Sequence, residues 1–267
     1  MRRALVAALV LAATALPAFA TDLRVLSAGA VELRVLSAGA VEPGMRPALA
    51  AFERSSGHTV AISFAAAPAL RAALRATPIA DVIVVPQAAL DELAANGVDV
   101  AGARAPIGKV GVGVAIRSGI EPPDLASAET LKAALQAAEH VVFNRASTGV
   151  IVERMLQRLG VADAVNAKAE RVADGALVMR RLLAGTSPRE FGFAAMTEIA
   201  LFRDQGIRLV GPLPAALQQS TTYIAVPWPG LQQSDAARAA AVTALIRQLQ
   251  GADARSQFAS AGIEPAQ

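Results

Sequence analysis

Apolar and polar positions follow two periods along this chain, and the switch between them marks its elements. Val60-Ala61-Ile62-Ser63-Phe64 alternates as a half-buried strand does. Asp81-Val82-Ile83-Val84-Val85 is nearly all apolar and predicts a strand covered on both faces. Leu33–Leu36 predicts a shorter strand, followed by the small-residue loop Ser37-Ala38-Gly39-Ala40. Helical spacing takes over at Pro47–Arg54 and stops at Ser55-Ser56-Gly57-His58. Pro68–Ala76 predicts a helix with proline in its first turn, and Gln87–Asn96 another closed by Gly97. The first hundred residues therefore read βαβαβα, which implies a parallel sheet with helices on its faces.

The same alternation continues. Lys109–Arg117 predicts a connecting strand, Ser127–Ala138 a helix and Val141–Phe143 a strand. Asn144–Gly149 is a polar loop before a helix over Val150–Leu159, ended by Gly160. Asp174 caps a further helix that runs to Ala184. Phe191–Ala194, Arg208–Val210 and Tyr223–Val226 predict strands, and Asp235–Gln250 and Ala254–Ala261 predict closing helices. Two α/β lobes joined by crossings near Pro106–Gly108 and Pro212–Tyr223 fit this order.

Two features sit outside that pattern. Arg2 and Arg3, the uncharged run Ala4–Leu16 and Ala18-Phe19-Ala20 together read as a secretory signal peptide over residues 1–20. LRVLSAGAVE occurs twice in succession, at 23–32 and 33–42. Only one copy fits a given strand position. The second runs directly into Pro43-Gly44 and the following helix, so residues 21–32 are expected to be an N-terminal extension.

Composition narrows the function. Beyond the leader, 23 basic residues face 22 acidic ones, and no basic run with interleaved aromatics appears, which argues against a nucleic-acid partner. The chain has no cysteine, which excludes disulfides, thiol nucleophiles and a lipid anchor. His58 and His140 are far apart and look solvated, so neither a metal nor another cofactor is expected. No Walker-type phosphate loop and no GxSxG elbow appears.

The stretch VLSAGAVEPGMRPALAAFERSSGHTV, then SFAAAPALRAAL, ADVIVVPQAALDELAANG and EFGFAAMTEI, with the tail VTALIRQLQGADARSQFASAGIEP, resembles the periplasmic molybdate-binding proteins of ABC importers. That resemblance implies an α/β type II periplasmic-binding-protein fold of two lobes, each a mostly parallel sheet flanked by helices. It divides the chain into lobe 1 at 33–106 plus 224–267 and lobe 2 at 107–223. It also implies a monomer in the periplasm, a small anion as ligand and an importer permease as partner. The family's serines align with Ala40 and Ala67 and its tyrosine with Ala195, so those three hydroxyls are missing here.

What remains near the expected cleft points to a small organic carboxylate more than to molybdate. Ser37, Ala38, Gly39 and Ala40 offer close backbone approach, as do Ala66 and Ala67. Arg145 carries a fork suited to a carboxylate, and Ser147 and Thr148 carry hydroxyls at a helix start. These residues and Ala195 are the candidate ligand contacts. Tyr223 reads as structural and Trp228 as a loop anchor. The alternative is a periplasmic isomerase on the same scaffold, such as an aconitate isomerase, with Glu42 and Glu198 as its acid/base pair.

Overall fold

Strand pairing in the computed structural model, which describes residues 30–65, 80–98, 100, 102–228 and 235–266, runs as one curled path through two half-sheets. The expected leader at 1–20, most of the duplicated segment, Ala66, Ala67 and the helix expected at Pro68–Ala76 lie outside the described residues.

In the first half, β1 (Glu32–Ala38) lies between β2 (Thr59–Ala65) and β3 (Val82–Pro86), all parallel. Leu33 and Val35 of the second repeat copy are fully buried there. In the second half, β5 (His140–Asn144) lies between β6 (Ala169–Val172) and β7 (Glu190–Ala195), again parallel. Two long antiparallel strands join the halves, β4 (Ala105–Arg117) and β9 (Ser220–Pro227). β9 pairs with β3. β4 pairs with β9 through its first part and with β7 and β8 (Ile207–Pro212) through its last.

Helices cover these sheets as the apolar stripes require. In the first half they are α1 (Glu42–Ser56), α2 (Gln87–Ala95), α8 (Ala236–Leu249) and α9 (Ala252–Ser260). In the second they are α3 (Ala128–Ala137), α4 (Ser147–Leu159), α5 (Ala162–Asn166), α6 (Gly175–Ala184) and α7 (Met196–Ala200). The buried clusters follow the same division. One gathers Leu33, Met45, Phe52, Leu245 and Phe258, and another Val114, Leu131, Phe143, Leu156 and Phe193.

Among the described residues, the buried carboxylates Asp81 and Glu190 each have a cationic partner. Asp81 takes hydrogen bonds at 2.8 Å from the Arg34 N–H and from Arg238 of α8. Glu190 is paired with Arg117 at 2.9 Å and Arg181 at 3.4 Å. Removing one partner from such a pair leaves a buried charge uncompensated and costs several kcal/mol, ~3–5.

Several expectations need correction. The first helix begins at Glu42 rather than Pro47, because proline is tolerated in a first turn and Pro43 stands there. α4 begins at Ser147 rather than Val150, since Asn144 supplies the side-chain acceptor that lets the helix start early. His58 is half-buried, with its Nδ1 accepting the Val31 N–H at 3.2 Å and its ring stacked on Phe52. It is therefore not the solvated residue the sequence suggested.

Candidate functional site

Loops that leave the carboxyl ends of β1 and β5 meet between the two half-sheets. The β1 loop is the 3-10 turn Gly39–Val41, which leads straight into α1. Its small side chains leave backbone N–H groups as its main donors, and no side chain caps it. The β5 loop is stapled from within. Asn144, 3% exposed, accepts the Ala146 and Gly149 N–H groups on Oδ1, both at 3.0 Å. A Cβ on Gly149 would collide with the Asn144 carbonyl oxygen, so only glycine allows this tight start. Between the two stapled amides lie Ser147 and Thr148, whose N–H groups belong to a helix start and lack intrahelical partners. Such helix starts attract anions.

The loops enclose a narrow neck with room of about 30 Å³, lined by Ala38, Gly39, Ala40, Ser147, Thr148 and Glu198, together with Asn144, Asp174 and Tyr223. It opens on both sides. One mouth is a cavity of about 520 Å³ that carries Arg145, Arg154 and Asp91 beside Ser147 and Thr221. The other, of about 470 Å³, carries Glu42, Asp174, Glu198 and Arg180. Cations outnumber anions at the first mouth and anions outnumber cations at the second.

The neck contains two ionisable groups with shifted equilibria. Desolvation raises the Glu198 carboxyl to about 7, and the charges of Asp174 and Glu42 push in the same direction. A hydrogen bond from the Ala195 backbone opposes them. Burial drives the Tyr223 hydroxyl well above its ordinary range and the Glu198 charge adds to this, against opposing side-chain hydrogen bonds with Ser147 and Thr221, so it stays neutral. A latch crosses the halves beside the neck, where the Thr197 hydroxyl donates to the Ala40 carbonyl at 2.5 Å.

The sequence candidates fall into three groups. Ala38, Gly39, Ala40, Ser147, Thr148 and Glu198 share the neck. Arg145 stands exposed at one mouth, and Glu42 stands at the other, paired with Arg46 at 2.5 Å. Ser37 and Ala195 line none of these spaces. Ser37 is fully buried and donates to the Ala38 carbonyl, and Ala195 is the residue before α7. The sequence pattern marked Tyr223 only as structural and Asp174 only as a helix cap, which it is, and it did not single out Arg154. Tyr223 is the one tyrosine in the chain and lies on a crossing strand, which was the available signal. Among the described residues no group of three or more His, Asp or Glu is placed to hold a metal ion.

Comparison with known proteins places this architecture. Residues 33–264 match the family described as bacterial extracellular solute-binding protein. The chain belongs to that family. This solute-binding protein is 28% identical over 232 residues to a protein of a Pseudomonas species named aconitate isomerase, covering 83% of each chain. Among solved structures, the periplasmic molybdate-binding protein of Azotobacter vinelandii superposes with a TM-score of 0.68 at 19% identity, covering 88% of this chain and 100% of its own. A sulfate-binding protein of Mycobacterium tuberculosis gives 0.68 at 15% identity, covering 88% and 87%. The fold is that of the type II periplasmic binding proteins. No helix among the described residues is long and apolar enough to cross a membrane.

Proposed function

We propose that this chain is a periplasmic binding protein that closes two lobes, 33–106 plus 224–267 and 107–223, on a small organic carboxylate and delivers it as a monomer to an ABC-type importer. The carrying observation is the donor arrangement of the cleft: the backbone N–H groups of the Gly39–Val41 turn and of Ser147 and Thr148 at the neck, and two arginines at one mouth. Helix starts suit any anion. Arg145 and Arg154 add guanidinium forks, which match carboxylate oxygens in pairs and suit a ligand with a second acidic group. The matched structures are named for molybdate and sulfate. Alanine at positions 40, 67 and 195 removes the hydroxyls that the resemblance assigns to molybdate, which supports a different anion here.

A second reading is catalytic, and the state of Glu198 favours it. Moving a proton across an allylic tricarboxylate such as aconitate needs a group that takes the proton from one carbon and returns it to another. A carboxyl near 7 is populated in both forms at neutral pH, which suits that task. The Pseudomonas relative bears the name of that activity. Glu42 would then be the second carboxyl, at the mouth beside Glu198.

Thermal unfolding with molybdate, tungstate, sulfate, citrate, cis-aconitate and trans-aconitate tests the first reading. A ligand present at a hundred times its Kd stabilises by about 2.7 kcal/mol, so the true ligand class raises Tm clearly. Citrate or an aconitate is expected to do so, and stronger stabilisation by molybdate would overturn the carboxylate assignment. Ultraviolet monitoring of trans-aconitate then separates the two readings. Turnover selects the isomerase, and tight binding without turnover selects transport.

A further inference from the structure

Glu198 reaches from the first turn of α7 into the neck. Its Oε1 lies 3.1 Å from the place a Cβ on Gly39 would take, and a Cβ on Gly175 would collide with its Oε2. Glycine at both positions lets one carboxyl stand against the 3-10 turn of one half and the start of α6 in the other. Ser147, Thr148 and Tyr223 line the same space. An anion drawn to these donors therefore meets a carboxyl at short range. Two acidic groups so placed do not both stay ionised; they keep a proton between them.

We propose that Glu198 is the specificity-determining residue of the cleft: it admits an anion only with one proton, shared between its carboxyl and the ligand, and so selects a weakly acidic carboxylate over a strong-acid oxyanion such as sulfate. This rests on the solute-binding reading and names what that cleft accepts. A ligand carboxylate is a weaker base than Glu198 but a far stronger base than sulfate, so it accepts the stronger hydrogen bond from the protonated Glu198 carboxyl. Sulfate, the conjugate base of a strong acid, accepts only a weak hydrogen bond from the same carboxyl and gains less from the proton that its binding requires.

The surrounding charges favour proton retention. Asp174 faces Glu198 from the start of α6, where it also accepts the Leu177 N–H at 2.7 Å. Glu42 faces it from α1 and Tyr223 from β9. Arg180 of α6 lines the same mouth, on the exposed side of its helix. Two neighbouring acids and desolvation together explain why the carboxyl holds its proton up to about pH 7.

Calorimetric titration of citrate and sulfate at pH 7.5 and 8.5, in buffers of different ionisation heat, tests this on the wild-type protein and on Glu198→Gln. The wild type should take up a proton with citrate, and its citrate affinity should fall by up to about tenfold between the two pH values. Sulfate should bind it at least about a hundredfold more weakly than citrate at pH 8.5. Glu198→Gln should bind without proton uptake, lose the pH dependence and narrow the citrate-to-sulfate ratio by about tenfold or more. Citrate binding by the wild type without proton uptake overturns the proposal even if the variant does not fold. An unchanged ratio in the variant also overturns it, while citrate binding by both proteins leaves the solute-binding reading in place. No binding of either probe to the wild type overturns both.

Discussion

The two loops that meet at the neck solve one problem by opposite means. The Gly39–Val41 turn has side chains no larger than valine and presents backbone alone. The Asn144–Thr148 loop is built from polar side chains, one of which is spent on holding its own backbone. The first is shaped by what it lacks and the second by an internal staple. A mobile ligand is thus met by a bare wall on one side and a functionalised wall on the other. Specificity is then expected to reside in the second wall, and in the carboxyl of Glu198 between the two.

Substitutions can break that contrast in order of effect. Gly149→Ala places a methyl group against the Asn144 carbonyl and should be the most damaging. Overpacking of this kind costs about 2–3 kcal/mol, a Tm fall of roughly 5–10 °C in a chain of this size, together with loss of anion binding. An unchanged melting curve would show that the tight helix start is dispensable. Asn144→Ala removes the acceptor from two amides, one of them fully buried, and should cost about 1–2 kcal/mol. Hydrogen exchange should then rise selectively at Ala146 and Gly149.

Smaller effects sharpen the contrast rather than break it. Arg145→Ala should leave the melting temperature intact, because the side chain is exposed, and weaken carboxylate binding roughly fivefold to tenfold. The loss should shrink in high salt. Glu198→Gln should stabilise the unliganded protein at pH 8 but not at pH 4.5. The reason is the raised folded-state carboxyl, near 7 against an ordinary 4.5: the unfolded chain ionises first, so stability declines as pH rises from about 4.5 through 7. A Tm gain of about 2–4 °C at pH 8 corresponds to each kcal/mol relieved. Ala40→Ser gives the bare wall one hydroxyl, and a severalfold gain for oxyanions, read by titration, would be the smallest change of the set.

Elements with strong local signals were legible before the structure. Ser127 forms a capping box with Thr130, and Asp174 accepts from Leu177, as helix-start residues at those positions should. The apolar runs became β3, β5 and β7. β6 went unnoticed because Ala169–Val172 has a polar centre and owes its place to pairing with β5. α7, only five residues long, is set by its packing and carries too few positions to show a period. The site was half legible for a related reason. Small-residue loops and helix starts are local features, and most of them gather at the neck. Tyr223 is brought there by β9 pairing with β3 across about 140 residues of chain, which local patterns cannot report. It carries a hydroxyl into the cleft from a different strand than the missing one at Ala195.

The path of β9 also has a consequence for assembly. The second half of the molecule is one unbroken stretch of chain, with a core drawn from Val112 to Leu217. The first half is not: its core needs Tyr223 and Ala225, then Leu245, Phe258 and Ile263 from the far end. A chain delivered amino end first therefore presents β1, β2 and β3 long before their last neighbours arrive. The central segment contains all the residues of its own core, while the core of the earliest residues stays incomplete until the last have emerged. Bringing the two ends of the chain together closes the longest loop, and that closure is needed to complete both the first core and the Tyr223 side of the neck.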